Sequence, residues 1–590
     1  MAKLLWVWYL NDMSNKDLLT LLILESKAYS QVEDLEKLVE KSQDLSALPI
    51  QPLYLSLKNL SSDQLANILP KLSQEQRRAM IDLDVWNKDE LDIKRYSEWP
   101  LVYSKCPDES VVSEFVQGED FALYLKARFS LHTFDVEEPE YPDHDNYFLT
   151  DDNLLLVEFD SDFEYVHEVR MLIRRLYDEL GVEKAYAHLF KIISDSYSIL
   201  EEECYIEKKE RLRDFGFVDY HEALYLRAHF INKKAMDEYL KNKKATTGEI
   251  DDLSKNQTLH SSSLVAYQQG LKGFLDELEK VSDNKRRDFL QFNFVRLVNS
   301  TLSVSQALKE GSVAINRVGN QTRQYFELGF SYVEKIYGQD SDLKTKLGSM
   351  SLFDLFDFND FYKVGHTLIA LELASTKKIL SLSPFHSDEF EYFLGQTLND
   401  VLDLSFAEIV KIKVDGKSSI LSTMEEYSLW QTRMQFSRDI IPFAQKFFSS
   451  FSLLKEKNLI NDNFYLNYEV DNIDLESILI SSFINFALGT YSKGEMNKMG
   501  LTVIELKKFV QENFAKDHSD YSVPEFDLNS VLVKKIHSFN ESYGLSQITG
   551  MDIYLHGVLD EQLSGYAYDE LKNEEFKHVG GPILLNVTVN

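Results

Sequence analysis

The chain has 590 residues, and its 63 Lys and Arg against 96 Asp and Glu give a net charge of −33. Apolar residues make up 44%, which is enough for a large core, whereas 23 glycines and 11 prolines are few for this length. That shortage excludes many-turned β-sandwiches and Pro/Gly-rich disorder, and it favours long helices. The charge argues against nucleic-acid binding and adsorption to anionic membranes, because both need clustered Lys and Arg. A protein partner is predicted instead, and a basic one would complement the charge.

Cysteine usage and the chain start indicate the compartment. Cys106 and Cys204 are too few for a disulfide framework, so they are expected to be ordinary thiols in a reducing environment. The apolar run 4–10 is followed by Asn11 and Asp12 without a small-x-small cleavage pattern, which predicts a packed terminal strand or helix rather than a signal peptide. No stretch reaches the roughly 18 uncharged apolar residues of a membrane helix. The chain is predicted to be cytoplasmic, without membrane insertion.

A short repeat predicts a helical hairpin near the start. The segment LSSDQLANIL at 60–69 is echoed by LSQEQRRAMI at 72–81, and each places a serine three residues before a glutamine, the spacing of a capping box. Pro70 falls between them, where a helix should break. The echo is loosely similar to the short-helix repeats of magnesium-transporter cytosolic domains and a flagellar switch protein, which are interaction or ion-sensing modules. A simple helical hairpin explains it equally well.

An acidic segment follows between Phe134 and Tyr165, with twelve acids and no Lys or Arg. The twelve are Asp135, Glu137, Glu138, Glu140, Asp143, Asp145, Asp151, Asp152, Glu158, Asp160, Asp162 and Glu164. Such like charges repel unless they are solvated, screened or paired. Arg170, Arg174 and Arg175 are the nearest cations along the chain. The segment is predicted to be a solvated or partner-facing surface.

The same region predicts a small α+β part near 108–165. Residues 147–149 and 154–159 flank the turn residues 150–153, which is typical of a β-hairpin. Residues 129–134 are expected to add a strand, and 121–125 fit either a strand or a helix. A second short hairpin is predicted near 409–421, around Asp415 and Gly416.

The rest of the chain predicts helices, so the fold class is mainly α. Apolar residues at i, i+3, i+4 and i+7 from Val169 predict an amphipathic helix, and Pro442 is expected to bend another. Gly580, Gly581 and Pro582 predict an irregular tail. The expected segments are an N-terminal helical region 1–105, an α+β region 106–240, a linker or mobile loop 241–263, a helical domain 264–460 and a C-terminal helical region 461–590.

No segment of the sequence carries a complete catalytic or nucleotide-binding motif. Gly416, Lys417 and Ser418 resemble the end of a phosphate-binding loop, but Lys411 stands where the motif needs a glycine, so a solvated turn is favoured. No nucleophile elbow, Cys-x-x-Cys pair or dinucleotide-binding turn occurs. The catalytic residues are therefore unknown, and no cofactor is predicted.

Metal sites are not predicted either. His221 and Glu222 would begin a zinc-protease motif, but Tyr225 replaces its second histidine, and His229 lies about 80° further around a helix. Ordinary, partly buried histidines are favoured instead. Three acidic pairs have partial calcium-loop spacing but lack the required glycine: Asp143 with Asp145, Asp340 with Asp342, and Asp471 with Asp474.

Four phrases together carry a family resemblance: DLDVWNKDELD at 82–92, RLRDFGFVDYHEAL at 211–224, YFELGFSY at 325–332 and DFYKVGHTL at 360–368. In this order they resemble a family of bacterial cytoplasmic proteins, a domain of unknown function, over most of the chain. The resemblance implies a soluble, mostly helical bacterial protein. It supplies no catalytic residues.

Two functional hypotheses follow from the sequence. The first is a non-enzymatic interaction or scaffold protein that uses helical surfaces and the acidic segment to bind protein partners. The alternative is an enzyme whose pocket is assembled from residues distant in sequence. A pocket with converging polar groups would favour the second hypothesis, and a broad groove would favour the first.

Overall fold

The computed structural model confirms a mainly α fold with a few small antiparallel sheets. It describes residues 45–46, 50–58, 60–215, 217–245, 272–414, 416–456, 473–490, 500–517, 520–522, 526–564, 567–568, 570–572 and 575–577. The chain divides into two compact units, Met1–His366 and Thr367–Asn590. Among the described residues, no helix is long and apolar enough to cross a membrane.

The first unit is built from short and medium helices and, in its last third, three long ones. Its helices, with the last one running on past His366, are α1 Ile50–Leu57, α2 Ser62–Ile68, α3 Gln74–Val85, α4 Ile93–Tyr96, α5 Glu98–Ser104, α6 Glu109–Val116, α7 Glu119–Arg128, α8 Val166–Leu180, α9 Val182–Ser194, α10 Tyr197–Asp214, α11 Tyr220–Arg227, α12 Lys233–Asn242, α13 Lys272–Glu279, α14 Asn284–Ser305, α15 Ala307–Glu310, α16 Ser312–Gln339, α17 Ser341–Leu347, α18 Leu352–Leu355 and α19 Phe358–Ser381.

The second unit is also helical. Its further helices are α20 Gln396–Phe406, α21 Met424–Glu456, α22 Leu475–Leu488, α23 Val503–Asn513, α24 Val531–Ser542 and α25 Met551–Leu563. The strands of the whole chain are β1 Trp86–Asn87, β2 Glu90–Leu91, β3 Phe129–Thr133, β4 Tyr147–Leu149, β5 Leu155–Phe159, β6 Lys411–Val414, β7 Lys417–Ile420, β8 Ala515–Asp517 and β9 Asp520–Ser522.

The predicted helical hairpin is present as α2 and α3. Both predicted capping boxes form: Ser61 with Gln64 begins α2, and Ser73 with Gln76 begins α3. Pro70 lies in the short 3₁₀ turn between them. Because each box satisfies two backbone N–H groups at a helix start, the sequence alone fixes where both helices begin.

The predicted β-hairpins are confirmed. In the first, β5 pairs with both β4 and β3, and all pairs are antiparallel. Residues 121–125, which fitted either a strand or a helix, belong to α7. In the second, β6 pairs with β7 around Gly416, whose φ of 74° suits a glycine in a tight turn.

Two long helices of the first unit meet through their backbones. A Cβ atom on Gly329 of α16 would lie 1.8 Å from the carbonyl oxygen of Phe361, and a Cβ on Gly365 of α19 would lie 1.8 Å from that of Tyr325. Real contacts are never this short, so only glycine fits on either side. The two helices therefore pack without side chains between them at this point.

The second unit has a separate apolar core formed by its helices. One buried carboxyl group ties three elements together there: Glu476 of α22 accepts hydrogen bonds from the Thr397 backbone N–H at 2.9 Å and the Tyr554 hydroxyl at 3.2 Å. Burial raises the pKa of Glu476 to about 7. Its side chain lies so close to Gly395 that a Cβ there would sit 2.5 Å from it.

Several predicted segments lie wholly or partly outside the described residues: the packed N-terminal segment 4–10, the linker 241–263 beyond residue 245, Asp415, Asp471 and the tail at 580–582. Pro442 lies inside α21, and the bend expected there stays a prediction. Both cysteines are free thiols, Cys204 buried and Cys106 partly exposed. The finer division into five segments stays a prediction.

The glycine contact generates the first testable prediction. Gly329→Ala or Gly365→Ala should destabilise the first unit by about 3 kcal/mol or more, because the new methyl group must push two helix backbones apart. Thermal unfolding monitored by calorimetry would measure the loss of stability. Gly338→Ala is the matched control on α16, since a Cβ there meets nothing within 4 Å. It should be neutral or gain up to about 1 kcal/mol, and an equal loss in all three variants would contradict the close contact.

Candidate lysine cleft

A buried charge network joins three helices of the first unit. The Arg211 guanidinium on α10 contacts both oxygens of Asp82 on α3, with Nε–Oδ2 and Nη2–Oδ1 distances of 2.9 Å. It also contacts Asp120 of α7 at 3.1 Å and Glu207 at 2.8 Å. The Asp82 side chain is fully buried, so the paired arginine is what makes its burial tolerable. Burial and the neighbouring Asp82 carboxylate raise the pKa of Asp120 to about 7.

Beside this network lies a small cleft, which we call the lysine cleft. It offers about 100 Å³ of free space between the C-terminal part of α3, the β1–β2 hairpin, α10, the start of α11 and the α14–α15 junction. Four lysines line it, namely Lys88, Lys208, Lys209 and Lys309. The two carboxylates in its wall are already engaged: Asp82 by Arg211 and Asp219 by the Tyr205 hydroxyl. The cleft is therefore rich in hydrogen-bond donors within a strongly acidic protein.

Two of these lysines are held in place by backbone carbonyl groups. Lys208 Nζ donates to the Lys88 carbonyl oxygen at 2.6 Å, and Lys309 Nζ donates to that of Trp86 at 2.7 Å. Neither ammonium contacts a carboxylate of the described residues. Burial lowers the pKa of Lys208 to about 8 and also lowers the pKa of Lys309. Since an ammonium has three N–H donors, each keeps two for other partners.

Aromatic rings complete the wall. Lys208 Nζ lies 4.7 Å from the centre of the Trp86 ring and 4.9 Å from that of Tyr205, and Lys88 Nζ lies 5.1 Å from that of Tyr220. Such contacts partly compensate a desolvated cation. The indole N–H of Trp86 is buried without a hydrogen-bond partner in the described chain. Among the residues that line the cleft, Trp86 thus carries one further donor without a partner in the described chain.

Two residues that line the lysine cleft have strained backbone conformations. Among the described residues, three that are not glycine have positive φ, and two of these line the lysine cleft: Lys88 at 62° and Gln306 at 53°. Lys88 is the first residue of the two-residue turn between β1 and β2. Non-glycine residues pay a conformational cost in this region, and such residues cluster at functional sites.

The acidic segment is the second candidate surface. Ten of its twelve carboxylates are exposed, and only Asp152 and Glu158 are partly buried. Of the three predicted partners, Arg174 Nε lies 3.3 Å from Asp151, whereas Arg175 pairs with Glu109 and Arg170 lies over a phenylalanine ring. The segment is thus largely unneutralised by the helix that follows it.

Both candidate histidines are exposed, not partly buried as predicted, and the phosphate-loop candidates lie in a hairpin turn as expected. His221 is exposed on α11, and His229, beyond the end of α11, has its ring 5.3 Å from that of His366. Gly416, Lys417 and Ser418 lie in the exposed part of the β6–β7 hairpin, followed by strand rather than helix.

The acidic pairs are likewise accounted for locally. Asp340 caps α17 by accepting from the backbone N–H groups of Asp342 and Leu343. Asp474 caps α22, while Asp143 and Asp145 lie in an exposed loop. Within the described part of the chain, no three His, Cys, Asp or Glu side chains group closely enough to hold a metal ion.

The sequence did not predict the lysine cleft, but two of the four segments that carry the family resemblance lie beside this cleft. Residues 82–92 contribute Trp86 and Lys88, and residues 211–224 contribute Arg211 and Asp219. The lysines themselves carry no recognisable spacing, since they come from three distant parts of the chain. The one local signal is a lysine at a tight turn position that normally favours glycine or asparagine.

Residues 27–401 match the model of DUF6178, described as a family of unknown function. Because this match covers most of the chain, the protein belongs to that family, and the lysine cleft lies within the matched part. No curated protein matches the chain significantly. No solved structure matches it significantly either.

The charge network gives the second testable prediction. Arg211→Met should cost about 3–5 kcal/mol, because it leaves Asp82 and Asp120 buried without their cation. The cost should be smaller at pH 5 than at pH 8, since a carboxyl group that has lost its cation can take up a proton at the lower pH. Arg213→Met, at an exposed position of the same helix, should stay within about 0.5 kcal/mol of the parent. Thermal unfolding at the two pH values would measure both variants, and a pH-independent loss would contradict the mechanism.

Proposed function

We propose that the protein binds a small anionic ligand, carrying a phosphate or carboxylate group, in the lysine cleft. The observation that carries this proposal is the convergence of Lys208 and Lys309, two partly buried ammonium groups without carboxylate partners in the described chain. Buried charges are normally paired, and an anion would supply the missing partner.

The composition of the cleft supports the same proposal. Lys88 and Lys209 add positive charge, and the buried Trp86 N–H adds a neutral donor. A cation-lined cleft in a low-dielectric wall concentrates anions even when the whole protein is negative. The free space suits the charged group of a ligand, with any larger part extending outwards.

Titration calorimetry at low salt with inorganic phosphate, pyrophosphate and citrate would test the proposal. Lys208→Gln and Lys309→Gln should each weaken the probe that binds by about tenfold or more, as expected for losing a charged hydrogen bond. Lys184→Gln, at an exposed position of α9 that does not line the cleft, is the control and should bind like the parent. Absence of binding by all three probes, or equal affinity in all variants, would reject the proposal.

Lys88→Gly provides a variant in which stability and binding should move in opposite directions. Glycine adopts a φ of 62° without strain, so the free energy of unfolding should rise by about 1 kcal/mol. Removing the ammonium should weaken anion binding at the same time. Calorimetry of unfolding and of binding on one preparation would measure both effects. A variant that is both less stable and weaker in binding would indicate a merely structural lysine.

We also propose, as the second candidate, that the acidic segment binds a basic protein partner. This interaction function rests on the ten exposed carboxylates and their single arginine partner on the following helix, Arg174. An enzyme that uses the lysine cleft as its pocket remains the alternative hypothesis for the first site.

The acidic interaction can be tested by exchanging loop carboxylates that make no hydrogen bond or ion pair with the described residues. Glu140→Gln, Asp143→Asn and Asp145→Asn together should reduce partner recovery from a native lysate, and recovery by the parent should fall steeply with salt. Asp152 is unsuitable, because it accepts from the Thr150 hydroxyl and the Leu154 N–H. Neutralising Glu183 and Glu202, exposed acids on other helices, is the control. Recovery that is unchanged by both the loop exchange and salt would end the acidic-docking hypothesis.

A further inference from the structure

The second unit contains a larger cleft of different character, which we call the C-terminal cleft. Its free space is about 450 Å³, within the range of roughly 300–1,000 Å³ that is usual for ligand pockets. It lies among α20, the β6–β7 hairpin, α21 and α25. The walls are mainly apolar, and their apolar residues include Leu398, Leu404, Ile412, Trp430, Phe436 and Ile553.

The carboxylates of this cleft have a cationic partner, whereas its arginine has no anionic partner among the described residues. Its two carboxylates, Asp400 and Glu561, each lie 3.8 Å from Lys413 Nζ, so one lysine neutralises both in part. Arg433 donates from Nη1 to the Lys413 carbonyl oxygen at 2.6 Å, and no carboxylate of the described chain contacts its guanidinium. Burial lowers the pKa of Arg433.

The mouth of the cleft is open and partly apolar. Ile553 is 64% exposed and Leu429 is 38% exposed, both on helices that border the space. Gly557 of α25 also lines it, and a Cβ built there meets nothing within 4 Å. A ligand can therefore enter from solvent, and the apolar rim can contact its tail.

We propose that the C-terminal cleft binds an amphipathic carboxylate, with its apolar tail along the Leu404, Trp430 and Phe436 wall and its carboxylate on Arg433. A planar guanidinium binds a carboxylate through two parallel hydrogen bonds, and the desolvated surroundings strengthen them. This site is independent of the lysine cleft, since the two occupy different units of the chain.

The test uses the full chain and a series of straight-chain acids, hexanoate, octanoate and decanoate, in titration calorimetry. Burial of each added methylene contributes about fourfold in affinity, so each step of two carbons should tighten binding by up to about 16-fold. Decanol is the uncharged comparison and should bind more weakly than decanoate. No gain with chain length, or equal binding of decanol and decanoate, would overturn the proposal.

Two variants locate the ligand. Arg433→Gln should weaken decanoate by about tenfold or more while leaving decanol nearly unchanged, because only the carboxylate loses its cation. Lys534→Gln, an exposed lysine on α24, is the matched control for a lost positive charge. Equal weakening of both compounds by Arg433→Gln would place the carboxylate elsewhere.

Gly557→Phe should fill the mouth of the cleft and abolish decanoate binding, whereas Gly557→Ala should retain it. Neither change creates a clash at Cβ, and both replace glycine within a helix, so thermal unfolding should show that the variants remain folded. Full decanoate affinity in a folded Gly557→Phe variant would overturn the assignment of the tail to this cleft.

Discussion

A single guanidinium organises the middle of the first unit. Arg211 gathers Asp82, Asp120 and Glu207 from three helices, and the first two carboxylates are too deeply placed to be solvated on their own. By fixing Asp82, it fixes the end of α3, from which the β1–β2 hairpin leaves. The hairpin in turn supplies the two carbonyl groups that hold Lys208 and Lys309. The geometry of the lysine cleft thus depends on a charge that lies behind it.

In this arrangement, different residues neutralise the buried carboxylates and present positive charge to the cleft. Arg211 neutralises the buried acids, which leaves the cleft lysines without carboxylate partners in the described chain. The cost appears locally as a lysine and a glutamine in left-handed backbone conformations. Such a mismatch between residue type and backbone conformation is informative. Natural proteins tend to retain one where function requires the residue at the expense of stability.

Much of the fold was readable because its signals are local. The capping boxes at Ser61 and Ser73, the β6–β7 turn at Gly416 and the apolar spacing from Val169 each involve residues within one or two turns of chain. The segment 121–125 lies in helix α7. It was ambiguous because all five of its residues are buried, which removes the apolar–polar alternation that would distinguish a strand from a helix.

The two clefts could not be predicted from the sequence, because the residues that form them are distant along the chain. Lys88, Lys208 and Lys309 are more than a hundred residues apart from one to the next, and each resembles an ordinary surface lysine. The proposal for the C-terminal cleft likewise depends on Arg433, whose guanidinium contacts no carboxylate of the described residues, and no sequence spacing reveals this. The family-like phrases indicated the right neighbourhood of the lysine cleft, but they indicated no chemistry.

The contact between Gly329 and Gly365 has a consequence for motion. Helices separated by side chains can slide a little as rotamers change, but here each backbone rests directly on a carbonyl oxygen of the other. Any shift along or around either helix must first lift the two backbones apart, so small displacements are as unfavourable as large ones. Amide hydrogens flanking the crossing on α16 and α19 should therefore exchange only through cooperative opening of the helix pair, and they should be among the slowest of the first unit.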